Sequence, residues 1–219
     1  MSISQSLRAD LVSVMPVERV FQKHVIDGRS FLFNQILNKC DWEYELRDEL
    51  AGLLQISLND VIIVGSSKLG FSVKTEDFHE FDHEFKLTGN PRKKSDIDVA
   101  VVNAACFDRI AKEIFFLSRH FQRDWIEGNW KINDFYRGAR SRDLSAQYAL
   151  YLAKGWLRPD YLPSMYYAAA PWRPVSEKWS ARLGGRKISI GFYSEWFYLK
   201  HYQMENLNRL RTLINGLEI

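Results

Sequence analysis

Three short β-branched runs set among segments of helical spacing predict an α/β (α+β) chain, with a small mixed sheet flanked by helices and a helical C-terminal part. The runs are VIIVG at 61–65, DIDVAVV at 96–102 and KISIGFY at 187–193. Composition agrees with a packed core. Of 219 residues, 46% are hydrophobic, 14% aromatic and 26% charged, which excludes disorder, collagen and coiled coil.

Taken in order, residues 1–40 carry helix-like apolar spacing through Phe21, Val25, Phe31, Phe33 and Ile36, broken at Gly28. A better helix is expected over 41–56, where Asp41 offers an N-cap and Leu46, Leu50, Leu53 and Leu54 form one stripe. The first strand follows. Residues 66–95 are polar and read as loop with at most a turn of helix, and 96–102 form the second strand. Spacing over 106–123 predicts a helix through Phe107, Ile110, Ile114 and Leu117, ending in cations that suit its macrodipole. Another helix is expected over 141–154, then a Pro- and aromatic-rich loop, the third strand and a helical tail over 194–216. Grouped as domains, this gives an N-terminal helical segment at 1–40 and a core at 41–193. The core carries an inserted loop at 67–95 and an aromatic-rich loop at 155–180, and a C-terminal helix at 194–219 packs on it.

No apolar run reaches the roughly 18–20 residues that cross a bilayer. Arg8 and Asp10 interrupt the region where a secretory leader is apolar. Cys40 and Cys106 lack CxxC spacing and read as buried free thiols, so a cytoplasmic setting is expected. A net charge of +3 is too small by itself to announce nucleic acid.

Two features point to chemistry. Gly65, Ser66 and Ser67 stand where the first strand must turn, and such a turn presents backbone N–H groups and hydroxyls to a phosphate. Lys68 is a further candidate phosphate ligand. Asp96 and Asp98 flank Ile97, so on a strand both carboxylates share one face. Paired carboxylates repel unless a cation lies between them, and Mg²⁺ favours a few carboxylates together with substrate phosphates.

Gly65-Ser66 followed by Asp96-Ile97-Asp98 within SDIDVAVV resembles the signature of nucleotidyltransferases of the DNA polymerase β type, particularly small bacterial ones. The resemblance covers residues 41–102 well and 186–193 loosely. It implies a sheet of the nucleotidyltransferase type, a nucleoside triphosphate held by Gly65 and Ser66, and Mg²⁺ or Mn²⁺ held by Asp96 and Asp98. As an enzyme the chain is expected to transfer a nucleoside monophosphate to a hydroxyl of RNA, a protein or a small molecule. The family's third carboxylate sits in an apolar-Asp-apolar strand, and here the matching strand reads Ile188-Ser189-Ile190. With Ser189 there, either Glu195 or a partner supplies the charge, or the chain is a weak or inactive sensor or regulatory subunit of a larger assembly.

Other patterns are weighed against these. His79-Glu80-Phe81-Asp82-His83 fits the zinc-protease pattern HExxH, but its setting reads as a surface loop and a chance match. His24, His120 and His201 are isolated and read as structural or exposed. Arg92, Lys93 and Lys94 either approach a phosphate or form a solvated loop. The aromatics Trp156, Tyr161, Tyr166, Tyr167, Trp172 and Trp179, with Arg158 and Arg173 among them, either stack bases, face a protein partner or pack in a core.

Overall fold

The computed structural model describes residues 3–72, 79–130 and 141–217. Its strands are β1 (Val61–Val64), β2 (Ile97–Val102), β3 (Trp156–Leu157) and β4 (Ile188–Tyr193), and they lie across the sheet in the order β1-β2-β4-β3. β1 pairs antiparallel with β2, β2 parallel with β4, and β3 antiparallel with β4. The chain is mixed α+β. The parallel β2–β4 pair requires a crossover, and residues 104–182 provide it.

Helices precede the sheet in sequence as α1 (Ile3–Val12), α2 (Val17–Phe21) and α3 (Cys40–Leu54), with π-helical turns at Gln22–Ile26 and Leu32–Ile36. α3 buries Leu46, Leu50 and Leu54 of its expected stripe together with Ala51, leaves Leu53 exposed, and ends where Gln55 turns left-handed at φ +58°. Then come α4 (Gly65–Leu69), α5 (His83–Thr88), α6 (Ala104–Leu117), α7 (Arg123–Asn129), α8 (Ser141–Ala153), α9 (Ser164–Ala169), α10 (Arg173–Arg182) and α11 (Trp196–Leu217). No helix among the described residues is long and apolar enough to cross a membrane.

Strand alternation sorts the core into two faces. Ile63, Val99, Val101, Ile188, Ile190 and Phe192 join Leu46 and Leu50 of α3, Ile110 and Ile114 of α6 and Trp179 of α10 on one side. Ile62, Val64, Ala100, Val102 and Tyr193 meet Leu7 and Leu11 of α1, Val17 and Val20 of α2, and Leu199, Leu207 and Leu210 of α11 on the other. The N- and C-terminal helices therefore share one layer.

Several expectations are corrected. The stretch at 155–180 is not a loop: it holds β3, α9 and α10, with Trp172 and Trp179 buried. Pro159 and Pro174 stand in the first turns of their helices, where the missing N–H is tolerated and φ is already helical, and Pro163 precedes α9. The segment 66–95 carries α4 and α5, although residues 76–78 of its aromatic-acidic piece lie outside the described residues. α6 ends at Leu117 rather than 123. Ser118 Oγ accepts a hydrogen bond from Phe121 N at 3.1 Å, and Arg119, His120 and Phe121 all take positive φ, a local side-chain bond competing with the helix. Cys106 is buried as expected, but Cys40 is exposed.

Candidate functional site

The last residue of β1, Val64, lies opposite Asp98 of β2, and Asp98 lies opposite Ser189 of β4. The chain then bends at Gly65, with φ +69°, and a Cβ there would fall 2.6 Å from Asp98 Oδ2. Only glycine lets the turn close on that carboxylate. On the same sheet face stand Ala100, Ser189 and Gly191, small side chains that leave a cavity of about 80 Å³ beneath α11.

Tyr202, Gln203 and Asn206 of α11 cover this cavity, and their spacing places them on one helix face. They interrupt the apolar stripe of Leu199, Leu207, Leu210 and Ile214. The other wall comes from β3 and the residues after it. Trp156 stacks on Tyr193 with ring centroids 5.3 Å apart and an interplanar angle of 11°. Arg158 sits 5.3–5.5 Å from the ring centroids of Tyr151, Trp156 and Tyr161, and its Nε donates to Asp160 Oδ2 at 3.1 Å.

Charge in the site is arranged unevenly. Asp98 lines the cavity, as does Asp160, which is paired with Arg158 and lies 3.6 Å from Lys187 Nζ. Burial pushes the Tyr193 phenol well above its ordinary value, with the Tyr202 phenol and the Asp98 carboxylate adding to the effect. Burial works against the Arg158 charge, yet Asp160 and the Tyr151 phenol hold its pKa above the ordinary range. Two donors in the lining, Trp156 Nε1 and Asn206 Nδ2, are buried without a hydrogen-bond partner. Each such orphan costs about 1–3 kcal/mol.

The sequence-predicted residues divide. Gly65 and Asp98 meet in the cavity, with Ser189 beside them. Asp96 does not join them. β2 begins at Ile97, and Asp96 Oδ2 lies 3.8 Å from Lys187 Nζ. Just before the strand lies a buried clamp, in which Asp82 accepts from both Arg186 Nη atoms at 2.6 Å and from Ser95 N at 2.9 Å. Ser66 is half-buried in α4 outside the cavity lining. Ser67 is fully buried, and its Oγ donates to Val64 O at 3.2 Å. Lys68 is buried too, with Nζ 3.4 Å from Glu43 Oε1, and burial lowers its pKa against the pull of Glu43. Glu195 is exposed and away from the lining; Asp160 is the carboxylate that stands with Asp98 and Ser189 in the cavity.

At the HExxH match the two histidines do not share a helix. His79 and His83 stack face to face with centroids 4.1 Å apart, and α5 starts only at His83. Among the described residues no group of three or more His, Cys, Asp or Glu is placed to hold a metal ion. Lys93 pairs with Glu84, and Lys94 Nζ donates to Gly184 O. Trp179 Nε1 donates to Glu49, and Tyr166 donates to Glu113, so these aromatics are engaged within the fold.

Sequence reasoning weighed Arg158 only as a companion of the aromatics and missed Asp160, Gly191, Gln203 and Asn206. A usable signal existed for the last two, since polar residues on the inner face of an otherwise apolar helix ask for polar partners. Comparison with protein-family models, curated proteins and solved structures finds no match for this chain.

Proposed function

We propose that this chain is a nucleotidyltransferase-like protein that binds a nucleoside triphosphate with one Mg²⁺ or Mn²⁺ between β2, β4 and α11, and acts as a catalytically weak or inactive binding subunit. The observation that carries this reading is the closure of the Gly65 bend on Asp98, opposite Ser189, in one cavity. One carboxylate suits one divalent ion, because Mg²⁺ takes its remaining ligands from phosphates and water. When bound, the ion offsets phosphate charge next to Asp98.

Two ions fit poorly. Asp96 faces Lys187 outside the cavity, Ser189 is neutral, and Asp160 is already paired with Arg158. Arg158 and Lys187 offset the Asp160 and Asp96 carboxylates beside the cavity, which lowers the repulsion an anionic ligand meets there. The presence of Asp160 beside Asp98 favours a second reading, slow transfer of a nucleoside monophosphate to a hydroxyl of RNA, a protein or a small molecule.

Calorimetric titration with each of four nucleoside triphosphates, with Mg²⁺ or Mn²⁺, tests the first reading. Binding is expected, weakened about tenfold or more in Asp98→Asn. No binding of any nucleotide overturns both readings. Incubation with α-labelled nucleotides and cell RNA or extract separates them: label that disappears in Asp98→Asn establishes transfer, and its absence leaves the binding subunit.

A further inference from the structure

We propose that Asn206 and Trp156 donate to phosphate oxygens of the ion-bound nucleotide, so that the cavity recognises the phosphate chain and leaves the base outside. This rests on the nucleotide reading above. Both buried polar atoms without partners in the lining are N–H donors, Asn206 Nδ2 and Trp156 Nε1. Arg158 lines the same cavity, with Nε and Nη1 engaged by Asp160 and the Tyr151 hydroxyl. The complement of two such donors is a pair of acceptor oxygens. Asp98 repels a bare anion, so the phosphate enters with its cation.

Space and stacking exclude the base. A cavity of about 80 Å³ holds roughly six water-sized groups, enough for one phosphate with its ion but not for a purine as well. The aromatic faces are already occupied by one another. Trp156 stacks on Tyr193 and leans on Tyr202 at 4.8 Å, and Tyr151 stacks on Tyr161 at 5.2 Å. Gly191 maintains this arrangement, since a Cβ there would fall 2.8 Å from Trp156 Nε1.

Calorimetry on the full chain with Mg²⁺ tests the proposal. The four nucleoside triphosphates are expected to bind within about threefold of one another, and inorganic tripolyphosphate with Mg²⁺ to displace them. Asn206→Asp, which keeps the shape but exchanges the donor for an acceptor oxygen, is expected to weaken binding about tenfold, and Trp156→Phe by several-fold. Circular dichroism verifies that each variant folds, while the competition on the unmodified protein needs no variant. A base preference above about tenfold, failure of tripolyphosphate to compete, or unchanged affinity in folded variants overturns the proposal while leaving nucleotide binding intact. Absence of nucleotide binding by the unmodified protein overturns the underlying reading along with it.

Discussion

At Gly65 a methyl group meets two obstacles together: the left-handed backbone at φ +69° and the Asp98 carboxylate 2.6 Å from where the Cβ would stand. The backbone term alone costs about 1–2 kcal/mol, and the steric term pushes Asp98 away from the cavity. Gly65→Ala is therefore expected to lower unfolding free energy by about 2 kcal/mol in urea titration and to abolish nucleotide binding in calorimetry. A variant of normal stability and affinity refutes this role. Gly65 and Asp98 were legible because a glycine after a β-branched run and an acid inside one each violate a local expectation. Asp96 misled because the same alternation that predicted its orientation stops one residue short. Ser67 and Lys68 were misplaced for a related reason: sequence spacing does not reveal that α4 turns them inward, toward Val64 O and Glu43.

At the scale of elements, the clamp of Asp82, Ser95 and Arg186 sits immediately before β2. Asp82 is 10% exposed and Arg186 9% at their side chains. Burial works against the Asp82 charge, but the Arg186 guanidinium and the Ser95 N–H hold its carboxyl below the usual carboxylate range. A carboxyl with a depressed folded pKa contributes stability that is fully present above its unfolded value near 3.9 and is lost as pH falls through the lower folded value. Asp82→Asn leaves Arg186 buried with an uncompensated charge and is expected to cost about 3 kcal/mol at pH 7. The deficit relative to the unmodified protein narrows below about pH 4, where the unfolded carboxyl takes up a proton before the native one does. Urea unfolding measured from pH 7 to pH 3 checks this; a deficit independent of pH contradicts it. Strands β1, β2 and β4 were legible from β-branched runs, and α3 and α11 from their stripes, because these elements bury what their local sequence advertises. The segment at 155–180 was not. Its prolines look like breakers until tertiary packing of Trp172 and Trp179 shows them starting helices.

Across the whole molecule, the candidate site is roofed by α11, and α11 is held against the sheet by the N-terminal helices. Arg211 donates from Nε to Leu11 O at 2.9 Å and from Nη2 to Met15 O at 2.6 Å, while Asp10 meets His24 at 2.5 Å. Leu7 and Leu11 are fully buried in that layer, although neither lines the cavity. Leu11→Ala is expected to destabilise by about 3 kcal/mol through lost burial and the void it leaves. It is also expected to weaken nucleotide binding several-fold, because the void loosens the helix that carries Gln203 and Asn206. Leu50→Ala provides the control, since Leu50 is equally buried but lies in α3 on the opposite face. Its stability loss is expected to be similar, with affinity unchanged under conditions where both variants remain folded. Calorimetry at a temperature well below either unfolding midpoint makes the comparison. Equal affinity losses in the two variants would mean that binding follows global stability rather than the seating of α11. A loss confined to Leu11→Ala ties the N-terminal helices to the site through the seating of α11.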